Sequence, residues 1–283
     1  MTDASTPETW RTAAAVPGQI NYLAKTDVRP RYYANDHSRD VLTLDPRTVM
    51  IEDARQRAEP PSLDREGFTL VPHKSEISDF RDTARVGAVH PGEIRRLLLE
   101  ISGADEVVVN GAGVLRFGEK SQEAGQLDNS YPARFVHIDI SDPTAAAFAE
   151  RSAAAGRRVR RYCHYNVWRT FSGAPQDVPL TMCDARTLAP GDLIEADAVF
   201  DAPDKPEWSF EGLVIAYNPA HRWSYFRDMS PDEVLIFKTN DSDPAGAHHV
   251  PHSAFNDPGC PEGVRPRASI EMRGVAYWYE TEA

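Results

Sequence analysis

The sequence has no excess of basic residues. Its 283 residues include 31 Lys and Arg against 43 Asp and Glu, a formal net charge of −12. A nucleic-acid binder needs a clustered cationic surface that displaces counterions from phosphates. The charge balance therefore argues against nucleic acid as a partner.

A long apolar segment is also lacking. No run approaches the roughly 20 apolar residues of a membrane-spanning helix. Residues 1–8 show neither the basic nor the apolar region of a signal peptide. We therefore expect a cytoplasmic protein with no membrane as partner.

Cysteine is scarce and unpatterned. Cys163, Cys183 and Cys260 are far apart and form no CxxC pair, so we expect reduced thiols rather than a disulfide framework or a zinc knuckle. The sequence equally lacks a glycine-rich phosphate loop, a nucleophilic serine elbow and a Rossmann fingerprint.

The residues that are present suit one globular domain over 1–283, with an N-terminal arm and helices over 1–105 and a β-rich core over 106–283. A first helix is predicted with Pro91 near its start and Gly103 just past its end, and a second with Asp142 as N-cap. Short, regularly punctuated strands favour an antiparallel sandwich or barrel. They are predicted at 106–116, 133–140, 161–171, 192–200, 208–217, 222–226, 234–239, 250–255 and 269–279.

One strand carries two metal-ligand side chains on one face. His137 and Asp139 are separated by one residue in an apolar run, so the period of two places both side chains on the same side of the strand. A facial two-histidine, one-carboxylate site needs one more histidine, and His248, His249 and His252 are candidates. Such a site leaves up to three cis positions open on an octahedral ferrous ion.

A possible carboxylate clamp opens the last predicted strand. In Arg267-Ala268-Ser269 a guanidinium and a hydroxyl lie two residues apart on one face, which suits charge-assisted hydrogen bonds to a terminal carboxylate. The same alternation places Arg273 on that face, so Arg273 is the rival clamp.

The order His-x-Asp, distal His, Arg-x-Ser resembles that of Fe(II)/2-oxoglutarate-dependent oxygenases. The wider chain resembles one branch, which includes the cephamycin C 7α-hydroxylation component, the fungal gibberellin desaturase and related hydroxylase/desaturase proteins of secondary metabolism. The similar segments are NYL (21–23), DREGF (64–68), VHID (136–139), NVWR (166–169), PLTMCDAR (179–186), HRWSYF (221–226), DEVLIFK (232–238), PHSAF (251–255) and RASIE (267–271).

This resemblance implies a mainly β protein with flanking helices, folded as a double-stranded β-helix, a jelly-roll or cupin-like barrel. It implies iron ligation by His137, Asp139 and His252, and binding of the distal carboxylate of 2-oxoglutarate by Arg267 and Ser269. His252 is preferred over His248 and His249 because it stands in the Pro-His-x-Ala-Phe match.

The NVWR segment adds two candidates for cosubstrate binding, Asn166 and Arg169. They are three residues apart, so without a bulge they lie on opposite faces of a strand, and we expect only one of them to line the pocket.

The resemblance thus implies oxidation of a small natural-product substrate, by hydroxylation or desaturation, with Fe(II), 2-oxoglutarate and O₂, as in antibiotic biosynthesis. Two alternatives remain open at this stage: a cupin-like metal-dependent dioxygenase or isomerase without 2-oxoglutarate, and a non-catalytic β-barrel that binds small ligands. A homodimer is compatible with the sequence.

Overall fold

The computed structural model describes residues 13–281, so the expectation for residues 1–8 lies outside the described chain. Two α-helices are present in it, α1 (Thr83–Ser102) and α2 (Asp142–Ser152). The strands are β1 (Ala15–Leu23), β2 (Arg31–Tyr33), β3 (Leu44–Asp53), β4 (Phe68–Pro72), β5 (Glu106–Phe117), β6 (His137–Ile138), β7 (Val159–Thr170), β8 (Leu180–Cys183), β9 (Leu193–Phe200), β10 (Trp208–Ile215), β11 (Trp223–Tyr225), β12 (Glu233–Asp241), β13 (His252–Ala254) and β14 (Ala268–Tyr279).

The strands form two sheets. Nine strands pair in the order β1-β3-β11-β8-β13-β6-β10-β9-β2, and five in the order β4-β12-β7-β14-β5. Trp168 and Leu235 of the smaller sheet share one buried cluster with Met182 of the larger sheet, so the two sheets face each other. The mainly β, double-stranded β-helix architecture predicted from the sequence is confirmed.

The first 105 residues contribute more than an arm and helices, because β1 and β3 pair antiparallel, with β2 between them in the chain, and all three belong to the nine-stranded sheet. This pairing was not predicted from the sequence. Pro17 and Gly18 disturb the strand pattern of β1, and most of β3 is exposed. A Cβ at Gly18 would lie 2.4 Å from Cδ1 of Ile51 and 2.9 Å from Cδ2 of Phe255, so any larger residue there would displace these buried side chains.

Helix α1 begins earlier than predicted. Asp82 is its N-cap and accepts a hydrogen bond from the Arg85 amide, so Pro91 lies inside the helix rather than near its start. An internal proline usually costs about 3 kcal/mol, and the burial of Ile94 and Leu98 against the smaller sheet offsets that cost. The predicted end is confirmed, because Gly103 adopts the left-handed conformation, φ 62°.

Two other predicted boundaries shift. Of the strand expected at 133–140, only residues 137–138 form β6. The N-cap of α2 is Ser141, whose hydroxyl accepts from the Thr144 amide, not Asp142. The Asp142 carboxylate is therefore available to other partners.

The three cysteines are unbridged, and burial raises the pKa of the Cys183 thiol to about 12. Between residues 13 and 281, no helix combines the length and apolarity needed to cross a membrane.

Buried histidines predict a loss of stability in acid. Burial lowers the pKa of His90 and of His164 from 6.5 to about 4. As the pH falls, these histidines therefore become protonated in the unfolded chain before they do in the folded one. The free energy of unfolding decreases between pH 6.5 and pH 4, by ~2 kcal/mol for His164 at pH 5.

The free energy of unfolding should decrease between pH 7 and pH 5 in the wild type. We expect a smaller decrease in His164→Phe. Urea denaturation in EDTA measures this. His37→Phe, at a half-exposed site, is the control and should follow wild type; equal pH dependence in all three proteins would contradict the assignment.

Candidate metal centre

Three predicted ligands converge between adjacent strands. His137 of β6 and His252 of β13 are direct antiparallel partners, and their ring centroids are 4.2 Å apart. Oδ1 of Asp139 lies 3.5 Å from Nε2 of His137 and 3.6 Å from Nε2 of His252. Three donor atoms at this spacing can share one ion at about 2.1 Å from each.

Backbone carbonyls fix the protonation of both rings. Nδ1 of His137 lies 2.9 Å from the Phe135 oxygen, and Nδ1 of His252 lies 3.2 Å from the Val250 oxygen. A carbonyl only accepts hydrogen bonds, so each Nδ1 must donate, and Nε2 of the neutral ring keeps its lone pair. Burial and the neighbouring His252 also lower the pKa of His137. Both rings are thus arranged as metal ligands.

The two oxygens of Asp139 have different partners. Oδ2 accepts from Asn166 at 2.8 Å and pairs with Arg273 at 3.1 Å, whereas Oδ1 faces the two imidazoles. Burial acts to raise the pKa of Asp139, but the Arg273 charge and the two histidines hold it well below its usual value. An ionised carboxylate oriented by other side chains completes the donor set.

This set fits the ferrous ion that the sequence implied. Two neutral nitrogens and one carboxylate oxygen on one side of a common point are the donors of non-haem Fe(II) sites. A small cavity adjoins all three ligands and has Trp168 and Arg267 in its wall, so Arg267 and the three ligands face one common space.

Arg267 is a buried cation without a complete set of partners. Its side chain is 1% exposed; Nη1 donates to the Val178 oxygen at 2.7 Å, whereas Nε has no partner. Burial lowers the pKa of the guanidinium to about 9. Because an unpaired buried charge is costly, the position suits an incoming carboxylate.

The other candidates for cosubstrate binding are placed differently. Asn166 reaches Asp139, not the wall beside Arg267. The hydroxyl of Ser269 donates to the Arg116 oxygen at 3.3 Å. Arg273, the rival clamp, is bonded to Asp139 and to Glu271, at 2.8 Å from the latter.

Arg169 requires a correction. Its guanidinium lies on the opposite face of β7, against His73, the Pro231 oxygen and the ring of Phe80. The strand alternates as expected, so Arg169 faces away from the metal centre and cannot bind a cosubstrate there.

An aromatic cluster next to the centre was not anticipated. Phe200 and Trp208 stack at 4.5 Å between ring centroids, and Phe210 lies 5.3 Å from Phe200. Phe200, Phe210 and Asp139 line two neighbouring cavities. The alternating aromatic residues at 208 and 210 are the sequence signal for this wall, which shares both cavities with Asp139.

Gly212 of β10 lies directly behind the carboxylate ligand. β10 pairs with β6, and a Cβ at position 212 would lie 2.8 Å from the Asp139 carbonyl oxygen and 3.3 Å from that of Ile138. Close backbone approach is thus part of what positions Asp139.

A family model described as an oxidoreductase/YMDC permease-like domain matches residues 20–277. A hydroxylase/desaturase of Cercospora beticola is 30% identical over 256 residues, covering 84% of this chain and 78% of that protein. The Fe(II)/2-oxoglutarate-dependent dioxygenase nvfI of Aspergillus novofumigatus is 29% identical over 241 residues, covering 82% and 84%.

Among solved structures, the iron and alpha-ketoglutarate-dependent endoperoxidase NvfI superimposes with a TM-score of 0.80 at 24% identity, covering 95% of this chain and 99% of that one. At that identity the likeness supports the fold.

Proposed function

The chain belongs to the oxidoreductase family that includes the Fe(II)/2-oxoglutarate-dependent hydroxylase/desaturases, and from this premise we propose that it oxidises a small natural product at an iron held by His137, Asp139 and His252. The main supporting observation is that these three ligand atoms converge beside a cavity whose wall includes Arg267, a buried cation whose Nε has no partner. The competing reading without 2-oxoglutarate leaves that buried cation unexplained.

Iron with 2-oxoglutarate and O₂, when bound, supplies an oxidant for C–H bonds, with succinate and CO₂ as by-products. The chain itself binds and orients. Arg267 binds the distal carboxylate through charge-assisted hydrogen bonds, and Asn166 and Arg273 hold Asp139 so that Oδ1 stays directed at the ion. No side chain needs to act as a nucleophile or general base.

The aromatic wall supports a substrate class. Phe200, Trp208 and Phe210 offer a broad apolar surface next to the centre, and Trp208 is half-exposed. Stacking against aromatic rings favours flat or polycyclic, uncharged molecules. We propose such a molecule as the substrate.

We also propose that the reaction takes place in the cytoplasm. The cytoplasmic location and the homodimer stay predictions.

The test is anaerobic addition of Fe(II) and 2-oxoglutarate to apoprotein. A visible charge-transfer absorption band is expected in the wild type and should be absent from His137→Ala. Circular dichroism checks that the variant folds. A well-folded wild type that binds iron but develops no band with 2-oxoglutarate would overturn the proposal.

A further inference from the structure

A second group of metal-ligand side chains lies outside the iron centre. Oδ1 of Asp142 is 2.8 Å from Nε2 of His248 and 3.0 Å from Nε2 of His249, and the two imidazole centroids are 3.9 Å apart. His249 is buried, whereas His248 and Asp142 reach the surface. The group joins the start of α2 to the loop between β12 and β13.

In its neutral form, His248 cannot donate a hydrogen bond to Asp142. Nδ1 of His248 lies 2.5 Å from the Asp241 carbonyl oxygen, which can only accept, so Nδ1 carries the proton. In the neutral ring Nε2 then presents a lone pair to the carboxylate oxygen 2.8 Å away. Two acceptors at that distance repel unless a cation lies between them or the ring gains a second proton. His137 and His252 show the same arrangement towards Asp139.

Asn240 supplies an independent indication. Its side chain is 1% exposed, and Nδ2 lies 2.7 Å from Oδ1 of Asp142 and 3.3 Å from Nε2 of His249. Its Oδ1 is buried without any partner. Rotating the amide by half a turn would direct this oxygen into the group, where it can ligate a cation, and would place Nδ2 at the position now held by Oδ1. A cation in the group would also relieve the repulsion at His248.

We propose that Asp142, His248 and His249, with Asn240 as fourth donor, bind a second divalent metal ion, Zn²⁺. Two imidazole nitrogens with carboxylate and amide oxygens match the donors of four-coordinate zinc. Asp142 stands three residues after Asp139, and His249 three residues before His252. The second ion therefore fastens together the two segments that carry ligands of the iron centre, and its ligands lie outside the lining of the cavities that adjoin that centre.

The test uses His137→Ala as background, so that zinc bound at the iron centre does not obscure the result. EDTA-treated protein is titrated with Zn²⁺ by isothermal calorimetry and by thermal unfolding. We expect one equivalent to bind and, at a hundredfold excess over the dissociation constant, to raise the melting temperature by about 5–10 °C.

Adding His248→Ala should weaken this binding at least about 100-fold and remove the thermal shift. Asp142→Asn, a nearly isosteric change at an exposed site, should weaken it as well, whereas His37→Ala should not. If the background protein binds no zinc, or if the His248 and Asp142 changes leave binding intact, the proposal is wrong. The iron-dependent band of the wild type is unaffected by that outcome, so the two proposals fail separately.

Discussion

Replacing Arg267 by leucine is expected to raise the KM for 2-oxoglutarate by about 100-fold or more. The guanidinium is buried beside the iron ligands and its Nε has no partner, so the lost interaction is a desolvated charge pair of ~3 kcal/mol or more. Succinate formation measured against 2-oxoglutarate concentration gives the KM. The melting temperature should change little, because the lost hydrogen bond to the Val178 oxygen is offset by removal of a buried charge whose Nε has no partner.

Arg273→Leu is the matched comparison. Arg273 contacts Asp139 and Glu271, so its loss should weaken iron binding, while the KM for 2-oxoglutarate at saturating iron changes little. The opposite pattern, a large KM effect from Arg273 and none from Arg267, would make Arg273 the carboxylate clamp.

Gly212→Ala is expected to damage the metal centre without touching a ligand. The new Cβ would lie 2.8 Å from the Asp139 carbonyl oxygen, and backbone on both sides must move apart. Overpacking of this kind costs ~1–3 kcal/mol of folding stability. Since Asp139 moves with its backbone, iron affinity should fall on the order of tenfold, as measured by competition with a ferrous chelator.

Gly191→Ala provides the control, because a Cβ there meets nothing within 4 Å. It should match wild type in stability and iron binding. Equal iron affinity in the two variants would show that the close approach of β10 does not position Asp139.

Alternation along strands accounts for the part of the site that could be predicted. His137 and Asp139 share a face because they are two positions apart along the chain, and the same alternation places Asn166 and Arg169, three positions apart, on opposite sides of β7. The alternation did not show which face of β7 lies inside the barrel. Burial under Phe80 and contact with His73 place Arg169 away from the centre, and Phe80 and His73 are remote from it in sequence.

Partner choice among charged groups was also beyond sequence reasoning. Arg267, which immediately precedes β14, and Arg273 within β14 have the same parity in the sequence. Their packing distinguishes them, since Arg273 reaches Asp139 across the barrel whereas Arg267 meets the Val178 carbonyl. The antiparallel pairing of β1 with β3 was not predicted, for a related reason. An exposed strand such as β3 has no apolar alternation to reveal it.

The pairing of β6 with β13 has a consequence for biosynthesis. His137 and His252 are neighbours in the sheet but far apart in the chain, so a nascent polypeptide emerging from the ribosome holds only an incomplete ligand set until residue 252 has been translated. Iron loading must therefore follow translation of β13, and a chain truncated before β13 would be expected to retain no tightly bound ferrous ion at this centre.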